Sequence, residues 1–273
     1  MTRAANDSPA AGRRLRERYG PWAVVTGASE GIGREFALRL AEAGVNVVLA
    51  ARREAQLLAL AEELRIRHTI EARVVRADLT QPADVDALVE RTAQLDVGLL
   101  VAAAGFGTSG SFLQSALAEE LAMVDVNCRA VAALSHHFGN RFAARRRGGL
   151  VLMSSLLAFQ GVPRAAHYAA TKAYIQVLAE GLRVELGPLG VDVIASAPGP
   201  VRSGFEKRAG MKMSLGESPA VVAEATLAAL GRRTTVRPGW LSKFLEASLS
   251  LLPRWGRVRA MGQVMGGMTK HRG

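Results

Sequence analysis

The sequence predicts an α/β fold: a doubly wound parallel sheet in a single domain, followed by a C-terminal helical extension. Short apolar runs rich in Val, Leu and Ala alternate with longer amphipathic runs along most of the chain. The apolar runs largely lack the alternation of a sheet with one wet face, which indicates strands buried on both sides. Repeated strand–helix–strand units predict right-handed crossovers between parallel strands, with helices on both faces of the sheet.

Six apolar runs are predicted as strands, and five amphipathic runs as helices. The strands are Trp22–Thr26, Val45–Ala50, Ala72–Ala77, Val97–Ala102, Leu150–Ser154 and Val191–Ala195. The helices are Gly33–Ala43, Glu54–Arg67, Pro82–Gln94, Ala116–Arg146 and Ala166–Leu186. Glycine after the first of these helices and Gly-Pro after the last are helix stop signals. We therefore expect a basic arm over residues 1–20 that is flexible or loosely helical, a Rossmann-type domain over 21–238 and an amphipathic extension over 239–273.

The composition is that of a globular protein, with 49% hydrophobic residues in 273. One cysteine, Cys128, excludes an intramolecular disulfide and fits a reducing compartment. The N-terminus lacks the apolar run of a secretory signal, and no stretch has the ~20 apolar residues of a spanning helix. We expect a cytoplasmic protein.

The formal net charge is +11, from 35 Lys and Arg against 24 Asp and Glu. Two interpretations stay open: a solvated surface, or attraction to anionic partners such as phosphate-bearing substrates or a membrane surface. Neither zinc-ligand spacing nor an RNA-binding aromatic signature nor an obvious recognition helix is found. We therefore predict no metal site and no nucleic-acid partner.

A glycine-rich turn follows the first predicted strand and opens the first helix. It reads Thr-Gly-Ala-Ser-Glu-Gly-Ile-Gly over residues 26–33, with glycines at G-x-x-x-G-x-G spacing. Glycines permit a tight turn and close backbone approach to a pyrophosphate, and the helix N-terminus offers free N–H groups. The strand before it and the helix after it make this pattern typical of a dinucleotide site.

The second strand ends in Ala51-Arg52, where an NAD-preferring site usually has a carboxylate for the ribose hydroxyls. A guanidinium binds a 2′-phosphate by charge-assisted bonds, whereas a carboxylate repels it. We therefore predict NADP(H) as cofactor, although Arg52 could simply begin a solvated loop. Asp78, after the third strand, could accept a hydrogen bond from the adenine amino group or cap the helix near Pro82; both roles stay open.

A tyrosine and a lysine four residues apart, Tyr168 and Lys172, share one face of the last predicted helix. A phenol is a poor acid–base catalyst at its ordinary pKa of about 10, and a neighbouring ammonium lowers that pKa. Ser155 stands thirteen residues before Tyr168, just past a strand, where its hydroxyl can hold a substrate oxygen. A glycine loop, this serine and Y-x-x-x-K in that order are highly specific in combination.

With these motifs the sequence resembles the short-chain dehydrogenase/reductase family over roughly residues 22–229, so the Rossmann-type domain is expected to be catalytic. The resemblance implies that Tyr168 is the general acid in reduction and the base in oxidation. It implies that Lys172 binds the nicotinamide ribose and lowers the pKa of Tyr168, and that Ser155 orients the carbonyl. Asn127 matches the helix asparagine that holds a water in a proton relay with the lysine, and the segment from Pro198 to Ser203 matches the one that closes over the nicotinamide.

The implied site is thus as follows. The catalytic residues are Tyr168, Lys172, Ser155 and Asn127. The cofactor-binding residues are Gly27, Ser29, Gly31, Ile32, Gly33, Arg52, Asp78, Leu79, Ala104, Gly105, Tyr168, Lys172, Pro198, Gly199, Val201 and Ser203.

Two positions depart from expectation. The family's Asn-Asn-Ala-Gly turn after the fourth strand reads Ala102-Ala103-Ala104-Gly105, so side-chain bonds that steady this turn are lost. Glu30 places an acid in the phosphate loop, and we expect it to point to solvent or towards Arg34.

The function predicted is hydride transfer between NADP(H) and the carbonyl or secondary alcohol of a hydrophobic substrate. The alternative is a non-catalytic NADP-binding regulatory or scaffold protein of the same fold; degenerate members usually lose Tyr, Lys or Ser, and all are present here. Apolar pocket walls are expected from residues 106–112, 156–164 and 203–216. They contain Phe106, Phe112, Leu156, Leu157, Phe159, Phe205, Met211 and Met213.

Among family members, the sequence most resembles hydroxysteroid dehydrogenases and long-chain 3-ketoacyl reductases. This resemblance rests on the segment from Arg18 to Trp22 and on the C-terminal extension. The extension begins with an apolar, amphipathic stretch that has Trp240 and Trp255 at its two ends. It is either an interfacial helix or substrate lid in peripheral contact with a membrane, or a segment packed on its own core or a partner subunit. Apolar residues on the long helices, such as Val177, Leu178 and Leu182, predict a homodimer or homotetramer.

Overall fold

The computed structural model describes residues 9–202, 204, 208–210 and 216–269. Within these residues the chain forms one twisted sheet covered by helices on both faces. The cofactor contact expected of Ser203, and the pocket residues Phe205, Met211 and Met213, lie outside the described residues.

Seven parallel strands form the sheet, in the order β3-β2-β1-β4-β5-β6-β7. The strands are β1 Trp22–Thr26, β2 Asn46–Ala51, β3 Ala72–Arg76, β4 Val97–Ala102, β5 Gly148–Met153, β6 Val191–Ser196 and β7 Thr235–Val236. The strand order runs in opposite directions on the two sides of the β1–β4 pair, and this is where an open α/β sheet binds ligands. The predicted doubly wound fold is confirmed. β7 was not predicted, because two residues give no hydrophobic pattern.

Helices connect the strands. They are α1 Pro9–Tyr19, α2 Gly31–Glu42, α3 Glu54–Arg67, α4 Pro82–Arg91, α5 Leu117–Val124, α6 Ala130–Ala144, α7 Ala166–Leu186, α8 Pro219–Ala229, α9 Trp240–Ser250 and α10 Arg254–Met268. A π-helical turn, Asp125–Arg129, joins α5 to α6, so the predicted run of 116–146 is helical over most of its length. Asn127 lies in the middle of this π-helical turn, within the continuous helical run formed by α5, the turn and α6.

Within the arm over residues 1–20, which was expected to be flexible or loosely helical, residues 9–19 form the helix α1. Tyr19 is only 3% exposed, and its hydroxyl donates to Asp192 Oδ2 at 2.8 Å. Arg18 Nε donates to the same oxygen at 2.7 Å. Gly98 and Gly149 leave room for Tyr19, since a Cβ at either would collide with it. The polar composition of residues 1–20 did not predict this contact with Asp192, because only Arg18 and Tyr19 make it.

Apolar side chains pack on both faces of the sheet in two main clusters. Leu178 and Leu182, expected on an outward face of α7, pack partly buried against the first cluster, whereas Val177 is 68% exposed. A third cluster joins Met261 and Met265 of α10 to Ala165 and Ala169 at the start of α7. No helix in the described part of the chain is long and apolar enough to cross a bilayer.

Candidate active site

The glycine turn after β1 has the geometry of a phosphate cradle. Gly27 and Gly31 have φ of +68° and +59°, a region that favours glycine. A Cβ at Gly33 would lie 2.3 Å from the Gly27 carbonyl oxygen, so only glycine lets α2 approach the strand so closely. Glu30, the residue before α2, makes no side-chain cap bond. The first N–H groups of α2 therefore remain available to an anion.

A cavity of about 390 Å³ lies over this turn. Its lining contains many of the expected cofactor residues: Gly27, Ser29, Gly31, Ile32, Gly33, Arg52, Asp78, Leu79, Ala104 and Gly105. The lining also includes two arginines that the sequence analysis missed, Arg53 and Arg208. Arg208 lies with its guanidinium carbon 4.1 Å from the centre of the Phe106 ring. Burial lowers the pKa of Arg208, and the nearby Arg52 lowers it further.

Glu30 lies neither in solvent alone nor against Arg34, as was expected. Its Oε1 accepts from Arg53 Nη2 at 2.8 Å, and the same nitrogen lies 3.0 Å from Ser29 Oγ. Arg34 instead pairs with Glu63 of α3 at 2.6 Å. Spacing along one helix favoured Arg34, but the end of β2 brings Arg53 over the phosphate turn. Arg53 thus lies beside the glycine turn, where it forms an ion pair with Glu30.

Asp78 forms a turn rather than a helix cap. Its Oδ1 accepts from the Thr80 backbone N at 3.1 Å and from Thr80 Oγ1 at 3.0 Å, while Gln81 is the residue that precedes α4. The expected capping role is therefore wrong. Asp78 and Leu79 line the cavity, and the adenine contact stays a prediction.

The turn after β4 is held without the missing asparagines. Thr26 Oγ1, at the end of β1, accepts from the Ala104 backbone N at 3.1 Å. Asn127 Oδ1 accepts from Phe106 N at 3.2 Å, and Asn127 Nδ2 donates to Phe106 O at 2.9 Å and to Thr171 Oγ1 at 3.0 Å. The loss of stabilising bonds expected from Ala102-Ala103 is therefore offset by side chains from β1 and the π turn. A Cβ at Gly105 would lie 3.3 Å from Lys172 Nζ, so this turn also borders the residues that the resemblance assigned to catalysis.

Ser155 and Tyr168 lie together in a second cavity of about 260 Å³. Ser155 lies two residues beyond the end of β5, where its Oγ accepts from Leu157 N at 3.2 Å. Tyr168, in the first turns of α7, is 7% exposed. Burial raises the pKa of the Tyr168 phenol to about 12, and a hydrogen bond with Ser155 partly offsets that rise. The predicted lowering of this pKa by Lys172 is therefore wrong in this structure, because desolvation of the phenolate dominates.

Lys172 is 6% exposed in the same cavity. Its Nζ donates to the Met153 carbonyl oxygen at 2.8 Å and lies 5.8 Å from the centre of the Tyr168 ring. Burial lowers the pKa of the Lys172 ammonium to about 8. The i,i+4 spacing does place both side chains at one site, with the ammonium at the end of β5.

A buried acid next to this site was missed. Glu120 of α5 is 3% exposed, and its Oε2 lies 2.5 Å from His167 Nδ1, one residue before Tyr168. Burial alone raises the pKa of Glu120, but hydrogen bonds from His167, Thr108 and Ser115 outweigh it and hold the pKa below its usual range. The pair fixes the first turn of α7 to α5. An acid in an amphipathic helix gives no sequence signal for this contact.

The segment after β6 borders the same cavity through Pro198, Gly199 and Val201. Ser242 Oγ of α9 accepts from the Gly199 N at 2.8 Å, and Ser242 is fully buried. The extension is thus bound directly to the segment that the resemblance assigned to the nicotinamide. A single serine in an apolar helix did not predict this contact.

About half of the apolar wall of the second cavity comes from the C-terminal extension, for which a substrate lid was one of the predicted roles. Leu156 and Leu157 line it as expected, but Phe112 is 57% exposed and Phe159 lies against Arg237 at 4.3 Å. Phe106 lines the first cavity instead. Met153 also lines it, and α9 and α10 contribute Leu245, Leu249, Ala260, Met261, Val264, Met265 and Met268.

The comparisons with known proteins agree with this geometry. Residues 21–213 match the family model described as short chain dehydrogenase. The chain belongs to the short-chain dehydrogenase family. Members of this family are NAD(P)-dependent oxidoreductases, and so is this chain.

Named relatives of this short-chain dehydrogenase include two groups. The 7beta-hydroxysteroid dehydrogenase of Collinsella aerofaciens is 36% identical over 179 residues, which are 66% of this chain and 68% of the relative. The very-long-chain 3-oxoacyl-CoA reductase of Podospora anserina is 39% identical over 181 residues, 64% of this chain and 53% of the relative. This chain thus spans about half the length of the second relative. The likeness to these two groups is confirmed.

A solved short-chain dehydrogenase from Sphingobium yanoikuyae, in complex with NADPH, superposes with a TM-score of 0.77. It is 30% identical to this short-chain dehydrogenase, over 86% of this chain and 97% of the other. Within the described residues, no group of three or more His, Cys, Asp or Glu is arranged to hold a metal ion.

Proposed function

We propose that this short-chain dehydrogenase interconverts the carbonyl and secondary alcohol of a bulky apolar substrate with NADP(H) as cofactor. The observation that carries the proposal is the second cavity, in which Ser155, Tyr168 and Lys172 share one space with apolar side chains of α9 and α10. A carbonyl held at these three groups would have its hydrocarbon body against leucines and methionines. Methionines adapt to irregular apolar shapes.

The chemistry of the first cavity fits a phosphorylated dinucleotide. Uncapped N–H groups at the start of α2 and the glycine turn suit a pyrophosphate. Ala51-Arg52 at the end of β2, with Arg53 and Arg208 beside it, suits a 2′-phosphate and disfavours the carboxylate-dependent recognition of NAD. When bound, the nicotinamide supplies or accepts the hydride.

The side chains of the second cavity handle the proton. The buried Tyr168 phenol keeps its proton at neutral pH, since burial raises its pKa to about 12. In reduction it donates this proton to the carbonyl oxygen while the carbonyl carbon accepts a hydride; in oxidation it takes the proton back. Ser155 donates a hydrogen bond to the same oxygen, and Lys172 supplies positive charge beside the developing alkoxide and holds the cofactor ribose. Asn127 binds the backbone of Phe106 and so holds the turn at Gly105, which lines both cavities.

The names of the relatives suggest the substrate class. One group acts on a hydroxysteroid and the other on a very-long-chain 3-oxoacyl thioester. Both substrates combine a secondary alcohol or ketone with a large hydrocarbon body, as the second cavity requires. We therefore propose a steroid-like or long-chain acyl carbonyl rather than a sugar or small acid.

The test measures NADPH oxidation with a panel of oxo-steroids, long-chain 3-oxoacyl thioesters and small polar ketones. We expect turnover with at least one apolar ketone. Tyr168→Phe should leave NADPH binding nearly unchanged and lower turnover by roughly two orders of magnitude or more, as for loss of a positioned general acid. Tyr174→Phe is the matched control, since Tyr174 lies on the same helix and is 42% exposed. A Tyr168→Phe enzyme with near-normal single-turnover rate would refute the assignment, and NADPH binding without turnover on any ketone would favour the scaffold alternative.

A further inference from the structure

Large apolar side chains line the outer face of α9 and the start of α10. Trp240 is 69% exposed, Phe244 60%, Leu251 86% and Trp255 65%. Trp240, Phe244 and Leu251 are four and seven residues apart, so they lie on one face of a helix. Exposed apolar side chains gathered on one face mark an interaction surface more often than isolated ones do.

The opposite face of α9 is already occupied by the protein's own core. Ser242 is buried against Gly199, and Leu245 and Leu249 line the second cavity. Packing within the chain therefore accounts for the inner face and leaves the outer face unexplained. The two faces belong to one helix, so whatever binds outside is separated from the substrate cavity by a single layer.

The charge of this region is strongly one-sided. Lys243, Arg254, Arg257 and Arg259 flank the exposed aromatics, and Glu246 is the only acidic residue from position 240 to the C-terminus. Arg259 lies with its guanidinium carbon 5.4 Å from the centre of the Trp255 ring. A partner with negative charge over a wide area complements this surface. A second copy of the chain related by a two-fold axis would bring the same cations face to face, which opposes that arrangement.

We propose that α9 and α10 form a docking surface for an anionic lipid bilayer. The outer aromatics and Leu251 insert into the interfacial region, and the flanking cations bind lipid phosphates. Ser248 and Val264 both line the second cavity and are exposed, Val264 by 52%, so the mouth of the cavity opens on this surface. On the proposed function, an apolar ketone would then enter from the lipid phase. The docking itself does not depend on that function.

The test is co-sedimentation of the full chain with vesicles of phosphatidylcholine alone or mixed with phosphatidylserine. We expect binding to the mixed vesicles that weakens as salt is added, because surface charges are screened. Trp240→Ala with Trp255→Ala should abolish it. Arg254→Glu with Arg259→Glu should lower the partition coefficient by roughly 25-fold from the two lost cations alone, at about 1 kcal/mol each.

Two controls match these changes elsewhere on the surface. Arg232→Glu with Arg233→Glu changes the net charge equally at another exposed pair, and Leu58→Ala with Ile66→Ala removes exposed apolar groups from α3. Both should bind as the unmodified chain does. Tyr168→Phe should also bind normally, which separates docking from catalysis. Vesicles should shift the emission of Trp240 and Trp255, since the third tryptophan, Trp22, is buried.

The proposal is overturned if the unmodified chain stays in the supernatant with phosphatidylserine vesicles, or if the charge-matched control loses binding equally. It is also overturned if Trp240→Ala with Trp255→Ala dissociates an oligomer in light scattering and leaves vesicle binding intact. In that case the face is a contact between copies of the chain.

Discussion

The buried, charged side chain of Lys172 should lower the free energy of unfolding of this protein at neutral pH. Burial lowers the pKa of its ammonium from 10.5 to about 8, which corresponds to a penalty of about 3 kcal/mol at neutral pH, at about 1.4 kcal/mol for each pH unit. Lys172→Met keeps the length of the side chain and removes the charge. It also leaves the Met153 carbonyl without its donor, a loss of about 1–3 kcal/mol. At neutral pH we therefore expect a variant as stable as the unmodified chain or more stable, by about 1 kcal/mol.

The pH dependence gives the sharper result. The folded pKa lies below the unfolded value, so the penalty is full below about 8 and disappears as pH rises towards 10.5. The free energy of unfolding of Lys172→Met, measured relative to the unmodified chain in urea, should fall by about 3 kcal/mol between neutral pH and 10.5. Lys243→Met, at an exposed position, should show no such change. An equal difference at both pH values for Lys172→Met would refute the reasoning.

Three other predictions rest on the same structure. NADPH should bind at least tenfold tighter than NADH in a fluorescence titration, a difference of about 1.4 kcal/mol. Arg52→Ala should remove most of that preference, and the control Arg91→Ala, at an exposed position, should not. Equal affinities of the unmodified chain for the two cofactors would exclude a binding site for the 2′-phosphate at Arg52. The value of kcat/KM for NADPH-dependent reduction should fall as pH rises through about 8, because Lys172 loses its charge while Tyr168 keeps its proton; a flat profile would argue against a role for the ammonium. Light scattering should show a dimer or tetramer that Val177→Asp weakens, since Val177 is 68% exposed on α7; a monomer at micromolar concentration would contradict it.

The fold was predictable because its determinants are local in sequence. Parallel strands buried on both faces need uninterrupted apolar runs, and Trp22–Thr26 and Val97–Ala102 were located to the residue. Glu54–Arg67 and Ala166–Leu186 were located equally well, and for the second helix the stop signal Gly187-Pro188 marks the end. The residues proposed for catalysis followed from spacing, since i,i+4 positions share a face of any helix.

What escaped prediction depends on contacts between distant segments. Arg53 reaches Glu30 and Ser29 only because β2 ends beside the phosphate turn. Thr26 and Asn127 replace the missing asparagines through bonds that span 78 and 21 residues. The pKa of Tyr168 was predicted to fall because a lysine was near, whereas the depth of burial raises it. The spacing of Tyr168 and Lys172 along the chain gave no information about how deeply these two side chains are buried.

The second cavity is lined by two segments of the chain, one inside the family match and one after it. The match to the family ends at residue 213, and Ser155, Tyr168 and Lys172 lie within it. Eight of the 22 residues that line the cavity follow position 240, and seven of these eight are apolar. On the proposed function, the matched segment holds the three groups proposed to handle the proton, and the segment after it lines the space for the hydrocarbon body of the substrate. Substitution of Leu249 or Met265 should therefore change which ketone is accepted before it changes how fast a good one is reduced.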